Sequence, residues 1–308
     1  MKKSSSVTLT AMLLACALCA QPSVAQTSGN AAAIEVADAE SVMSMRVDGE
    51  LVFDTTGKVI QHKVITEGLT DEVRDFADAR MAQMHFEPVK IDGRLVNART
   101  FTRMTLLARP KDNGNCSIEM ESAHFFDGKF SANGAPKEDA EAKRARAGGW
   151  TLATKRTGLS YPVGLARSNV SGAVAVRVLL REDGSVEDAF VTQSALFNVR
   201  GRDKALDRAR ALFEKESLRA VRTWKFNPPA NKGDPNDLEW RSGDMGIFFT
   251  MDGFKNHKAG QWRQEARGPQ RVASWELTRD GGLVVGISAM DSENSDWVAP
   301  DTRIKRVN

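Results

Sequence analysis

The stretch from Ser171 to Ala195, SGAVAVRVLLREDGSVEDAFVTQSA, admits few folds. Val174, Val176, Val178 and Leu180 recur at period two, so one face of an extended strand is apolar. Asp183-Gly184 supplies a tight turn, and a second β-rich run follows from Val186 to Thr192. This pattern predicts a β-hairpin. Downstream the period changes. Leu206, Ala209, Phe213, Ala220 and Trp224 fall on one helical face, with Ser217 the only polar interruption. The phrase RTWKFNPP (222–229) closes the segment, because Pro228 and Pro229 cannot continue a helix. GDMGIFFTM (243–251) then reads as a third strand.

The same order, strand-strand-helix-strand, is written earlier in the chain. Met45, Val47, Leu51 and Phe53 alternate up to a turn at Gly57, and Val59 to Ile65 is the return strand. Thr70 is placed as an N-cap, with Asp71 and Glu72 in the first turn, where the positive helix end favours acids. Val73, Phe76, Ala77, Met81 and Met84 recur at helical spacing until AQMHFEPV (82–89) repeats the aromatic-polar-proline phrase. ARTFTRMTLLA (98–108) supplies the last strand. The turn glycine and the helix-end phenylalanine are residues 57 and 86 in the first copy, 184 and 226 in the second. The extra length is most simply placed in LFNVRGRDK, before the second helix. The aromatics ending each helix can lie across the hairpin's apolar face, each contributing about 1.5–3 kcal/mol when buried. Trp224 and Phe226 are the expected anchors, with Met84 a softer choice in the first copy.

The first 25 residues read as a secretory leader. Lys2 and Lys3 precede an apolar run, and Ser23-Val24-Ala25 offers small residues for cleavage. A second reading stands beside it: Leu13-Leu14-Ala15-Cys16 resembles a lipoprotein signal that would anchor the chain by lipid at Cys16. Both place the chain outside the cytoplasm, and cleavage after Ala25 leaves Cys116 alone, with no disulfide framework. The expected division is leader 1–25, a disordered stretch 26–41, a first unit 42–108, a linker 109–150, a second unit 151–252 and a β-rich tail 253–308. Within that tail, 272–289 reads as a hairpin about Asp280-Gly281-Gly282. With 43 basic and 40 acidic residues, the charge gives no reason to expect a nucleic-acid partner.

No group carries recognisable chemistry. His62, His85, His124 and His257 lack a second ligand at metal-binding spacing. No phosphate loop, dinucleotide fingerprint or nucleophile motif is present, so no catalytic, metal or cofactor site is expected and a hydrolase is the weakest reading. Asp183-Gly184 is read as a turn. Arg202, Arg208 and Arg210 are read as a solvated helix face, with a patch for anionic envelope polymers as the sharper alternative.

Taken together, Tyr161-Pro162, the strand led by Gly172, the Asp183-Gly184 turn and the helix ending Trp224-x-Phe226-x-Pro228 resemble the C-terminal domain of TonB-family proteins. The resemblance covers about residues 158–252, and 42–108 looks like a diverged copy without the Tyr-Pro lead-in. It implies an α+β fold of two small units, each an antiparallel sheet with one packed helix. It also implies a periplasmic protein-interaction module that binds extended peptide of an outer-membrane transporter or other envelope protein, accessory to TonB-dependent transport. The family's membrane helix and proline-rich spacer are missing, since the ten prolines are scattered; coupling to an inner-membrane motor is therefore not implied. Gly246, Ile247, Phe248 and Phe249 on the last strand are the expected partner-binding edge, because a strand entering after a long loop is often left at a sheet edge. The equal alternative is that the tail hairpin covers this edge. A structural envelope protein or lipoprotein associated with cell-wall polymer stays open as another reading, as does a homo-oligomer.

Overall fold

The computed structural model describes residues 33–111, 115–126, 128–130, 136–138, 150–152, 158–228, 233–251, 258–273 and 275. The chain is α+β, mostly antiparallel strands with few helices. The first unit holds β2 (Glu40–Phe53), β3 (Val59–Val64), α1 (Asp71–Ala82) and β6 (Ala98–Pro110), following β1 (Ala33–Ala37). Between α1 and β6 lies a small hairpin of β4 (Val89–Ile91) and β5 (Arg94–Val96). The second unit holds β11 (Ser171–Leu180), β12 (Val186–Phe197), the long α3 (Asp203–Val221) and β14 (Ser242–Phe249). It is preceded by β10 (Thr151–Leu152) and the single turn α2 (Val163–Arg167), and β13 (Phe226–Asn227) and α4 (Leu238–Arg241) lie between α3 and β14.

The repeat holds at the level of single hydrogen-bonded pairs. In each unit the first hairpin strand is central, flanked by its return strand and by the strand that follows the helix. Phe53 opposite Val59 corresponds to Leu180 opposite Val186, and a β-bulge precedes each. Val47 opposite Met104 corresponds to Val174 opposite Ile247, and Met45 opposite Leu106 to Gly172 opposite Phe249. On the helices, Val73, Ala77 and Met81 are buried in the first unit, and Phe213, Ser217 and Val221 take their places in the second. After each helix the chain returns to its turn: Phe86 N donates to Gly57 O at 2.8 Å and Phe226 N donates to Gly184 O at 2.9 Å. Period-two alternation placed these strands and period-3.6 alternation the helices, so each unit buries one apolar layer between sheet and helix.

Three expectations about the connecting segments change. The stretch 26–41, expected to be disordered, supplies β1 and the start of β2. The segment 109–150, expected to be linker, ends β6 and then forms β7 (Cys116–Phe126), which pairs along β6 from Pro110 opposite Cys116 to Phe101 opposite Phe126. Two short strands, β8 (Gly128–Phe130) and β9 (Pro136–Glu138), pair beyond it. The tail sends β15 (Arg263–Arg267) between the units, paired with Ala195–Phe197 of β12 on one side and Glu40–Ser44 of β2 on the other. β16 (Gln270–Ala273) pairs with β1. One sheet of eight strands therefore runs β14-β11-β12-β15-β2-β6-β7, with β3 also on β2. The hairpin expected at 272–289 lies largely outside the described residues.

Candidate strand-addition edge

The Tyr-Pro lead-in packs at the start of β11, beside Gly172, and the Asp183-Gly184 turn lies past its other end, beside Phe226. Tyr161 sets its ring edge-on to Phe213 at 5.6 Å and to Phe249 at 5.7 Å, and its hydroxyl donates to Val170 O at 2.6 Å. Burial is the main reason its phenol is raised from the usual value, against a hydrogen bond with Ser171. Pro162 caps α2. Gly172 has no room for a side chain: a Cβ there would stand 2.5 Å from Ala195 O and 3.0 Å from the Phe213 ring. Asp183 accepts from the backbone and hydroxyl of Ser185 at 2.9 and 2.6 Å. That hydroxyl bond, with the backbone one, lowers its carboxyl below the usual range, as expected of a turn aspartate. Trp224 and Phe226 are buried in the core and Pro228 is exposed.

β14 is the terminal strand of the sheet. It pairs with β11 from Phe249 opposite Gly172 to Ser242 opposite Leu179, and among the described residues no strand pairs with its other edge. Met245, Ile247 and Phe249 face the helix-side core and are buried, as is Gly246. Phe248 points to the other face, where it packs on Ala173, Ala175, Ala195 and Phe197. Asp244, on that same face, accepts from Arg177 at 2.5 Å. The four residues read from the sequence as one edge thus divide between the two faces of the sheet, and each β14 residue is buried or half-buried. Trp150 and Trp240, whose rings lie 5.2 Å apart, help close the core beside it, and Trp150 Nε1 donates to Trp240 O at 2.7 Å.

The junction strand β15 places charge inside the sheet. Glu265, 1% exposed, accepts from Ser44 at 2.5 Å, from Arg263 and from Arg267. Burial works to raise its carboxyl, but Arg263 and Arg267 prevail and hold it down at about 2. Arg267 also grips Glu121 of β7 through two bonds of 2.5 and 3.1 Å. Burial nevertheless leaves Glu121 raised. Arg210, expected on a solvated face with Arg202 and Arg208, is instead buried; it donates to Ala266 O at 3.2 Å and pairs with Asp207. Arg202 and Arg208 are exposed. No sequence signal distinguished Arg210 from its neighbours, because its partner strand is distant in the chain.

Among the described residues no three His, Cys, Asp or Glu side chains form a metal-holding group. A shallow concavity of about 440 Å³ at the second hairpin turn is lined by Arg181, Glu182, Asp183, Glu187, Pro235 and Arg241. Arg241 is engaged there by Glu187 and by Leu180 O, and the concavity presents no nucleophile beside a base. No helix of the described residues is long and apolar enough to cross a membrane. No protein-family model, curated protein or solved structure matches this chain.

Proposed function

We propose that this chain is an exported, TonB C-terminal-like interaction module that acts by binding rather than catalysis. Its edge strand β14 takes up an extended segment of an outer-membrane transporter or other envelope protein. One observation carries the reading. β6 and β14 are equivalent strands of the repeat, and the edge that β7 covers on β6 is unpaired on β14 among the described residues. Such an edge offers backbone N–H and C=O groups at alternate residues, which gives affinity without pockets or titrating groups. The leader, whichever way it is processed, delivers the module to the compartment where such partners are found. The test is capture from an envelope extract with a photo-crosslinking residue at Thr250, which is exposed at the end of β14, and a control at Leu212, which is exposed on α3. A partner crosslinked from position 250 and not from 212 supports the reading; crosslinks from 212 alone contradict it.

A further inference from the structure

Resting on that reading, we propose that β7 is a tethered occupant of the first unit's strand-addition edge. The segment that β14 accepts then resembles β7: it runs antiparallel to β14 and is apolar at alternate positions. Along β6, Thr102, Met104 and Leu106 face Phe125, Ala123 and Met120 of β7. These β7 residues close the first unit's core, with Phe125 edge-on to Phe86 at 5.0 Å. The repeat register makes Met245, Ile247 and Phe249 the counterparts of Thr102, Met104 and Leu106. An external strand in β7's register therefore sets three side chains beside those three residues, two at alternate positions and the third across a bulge, on the helix side of the sheet.

The occupant is fastened by charge as well as by backbone. Arg109 donates to Glu119 at 2.7 Å, and Arg267 grips Glu121. Glu121 sits at a β-bulge, between the pairs Thr105–Ser122 and Leu106–Met120, where the extra residue turns a carboxylate toward the bridging strand. An outside segment has no such tether at β14, so it binds reversibly where β7 is permanent. Among the described residues the chain thus has one paired and one unpaired edge of the same design.

The experiment adds a synthetic peptide of residues 116–126, with Cys116→Ser, to the full mature chain and follows backbone amides by NMR. Saturable binding is expected, with protection of alternate β14 amides that a scrambled peptide does not give. A spin label on the peptide's N-terminus should broaden Phe249 and Thr250, and one on its C-terminus should broaden Ser242 to Asp244. The peptide should also lower the Thr250 crosslink to an envelope partner at least tenfold. If the partner crosslinks at Thr250 but the peptide neither binds nor competes, the inference about β7 falls and the edge reading stands. Reversed label positions, or protection confined to β6, also overturn it. If no partner reaches Thr250 and no peptide protects β14, both fall, and protection of β14 that appears only as the chain self-associates would assign the edge to a second copy.

Discussion

Gly184 lies directly beneath the carbonyl of Phe226, so close that any Cβ on it would overlap that oxygen, and Gly57 lies in the same way beneath Phe86. Each glycine holds a positive φ, +81° and +89°, and each accepts the backbone N–H of its phenylalanine. The turn and the helix-end phrase are thus one feature: the phenylalanine backbone is pinned to the turn. Gly68 has φ +72° with nothing near its missing Cβ. Gly184→Ala should therefore cost more than 2 kcal/mol in urea unfolding, while Gly68→Ala should cost about 1 kcal/mol, the conformational part alone. Equal effects would remove the close approach from the account.

Trp224→Ala should cost about 3–5 kcal/mol, as expected when a fully packed aromatic is deleted from a core. Its side chain is buried at the end of α3 among the apolar residues of the second unit. A variant melting within a degree or two of the parent would contradict that packing.

Ser217 occupies in the second unit the place that Ala77 fills in the first, and both are fully buried. Its hydroxyl has no hydrogen-bond partner. Ser217→Ala adopts the other copy's residue and removes a desolvated polar group, so it should be neutral or stabilise by about 1 kcal/mol in urea. A loss of 1 kcal/mol or more would show that the hydroxyl is satisfied.

Glu265 gives the junction a pH dependence of definite sign. Its folded carboxyl, at about 2, lies below the ordinary value of 4.5. The stabilisation is therefore present above about pH 4.5 and is lost as pH falls toward 2. Glu121, raised by burial, has the opposite sign and partly offsets this loss. Glu265→Gln removes the carboxylate that Arg263 pairs with and one of those that hold Arg267, which keeps Glu121, and should cost about 3–5 kcal/mol at pH 7. Between pH 4.5 and 2.5 its Tm should fall less steeply than the parent's, and parallel curves would show that Glu265 is not the titrating group.

The hairpins, both helices and the repeat were legible because each is written in local periodicity and ends in a turn glycine or a proline. The bridging strand was not. RQEAR, residues 263–267, carries no apolar alternation, and its charges can be buried only because Ser44 and Glu121 arrive from distant parts of the chain. β7 hid for a related reason: the bulge at Glu121 shifts the phase between Ile118 and Met120 on one side and Ala123 and Phe125 on the other. The strand β14 was legible, but residues Gly246 to Phe249 alternate between faces, and its equivalence with β6, which pairs with β7, depends on contacts distant in the chain.

The sequence reads as two units joined by a linker, whereas a strand paired with both couples them. Calorimetry should show one transition whose van't Hoff and calorimetric enthalpies agree. Two resolved transitions would mean that β15 does not hold the units together.

The most direct test of the central claim is amide exchange along β14 in the full mature chain, alone and in complex with the protein captured from the envelope. Free, the outward amides between Ser242 and Phe249 should exchange faster than those bonded to β11, alternating residue by residue. In the complex the fast set should slow at least tenfold, while β7 is unchanged. A complex that leaves the alternation on β14 intact, with protection elsewhere, would contradict strand addition at this edge.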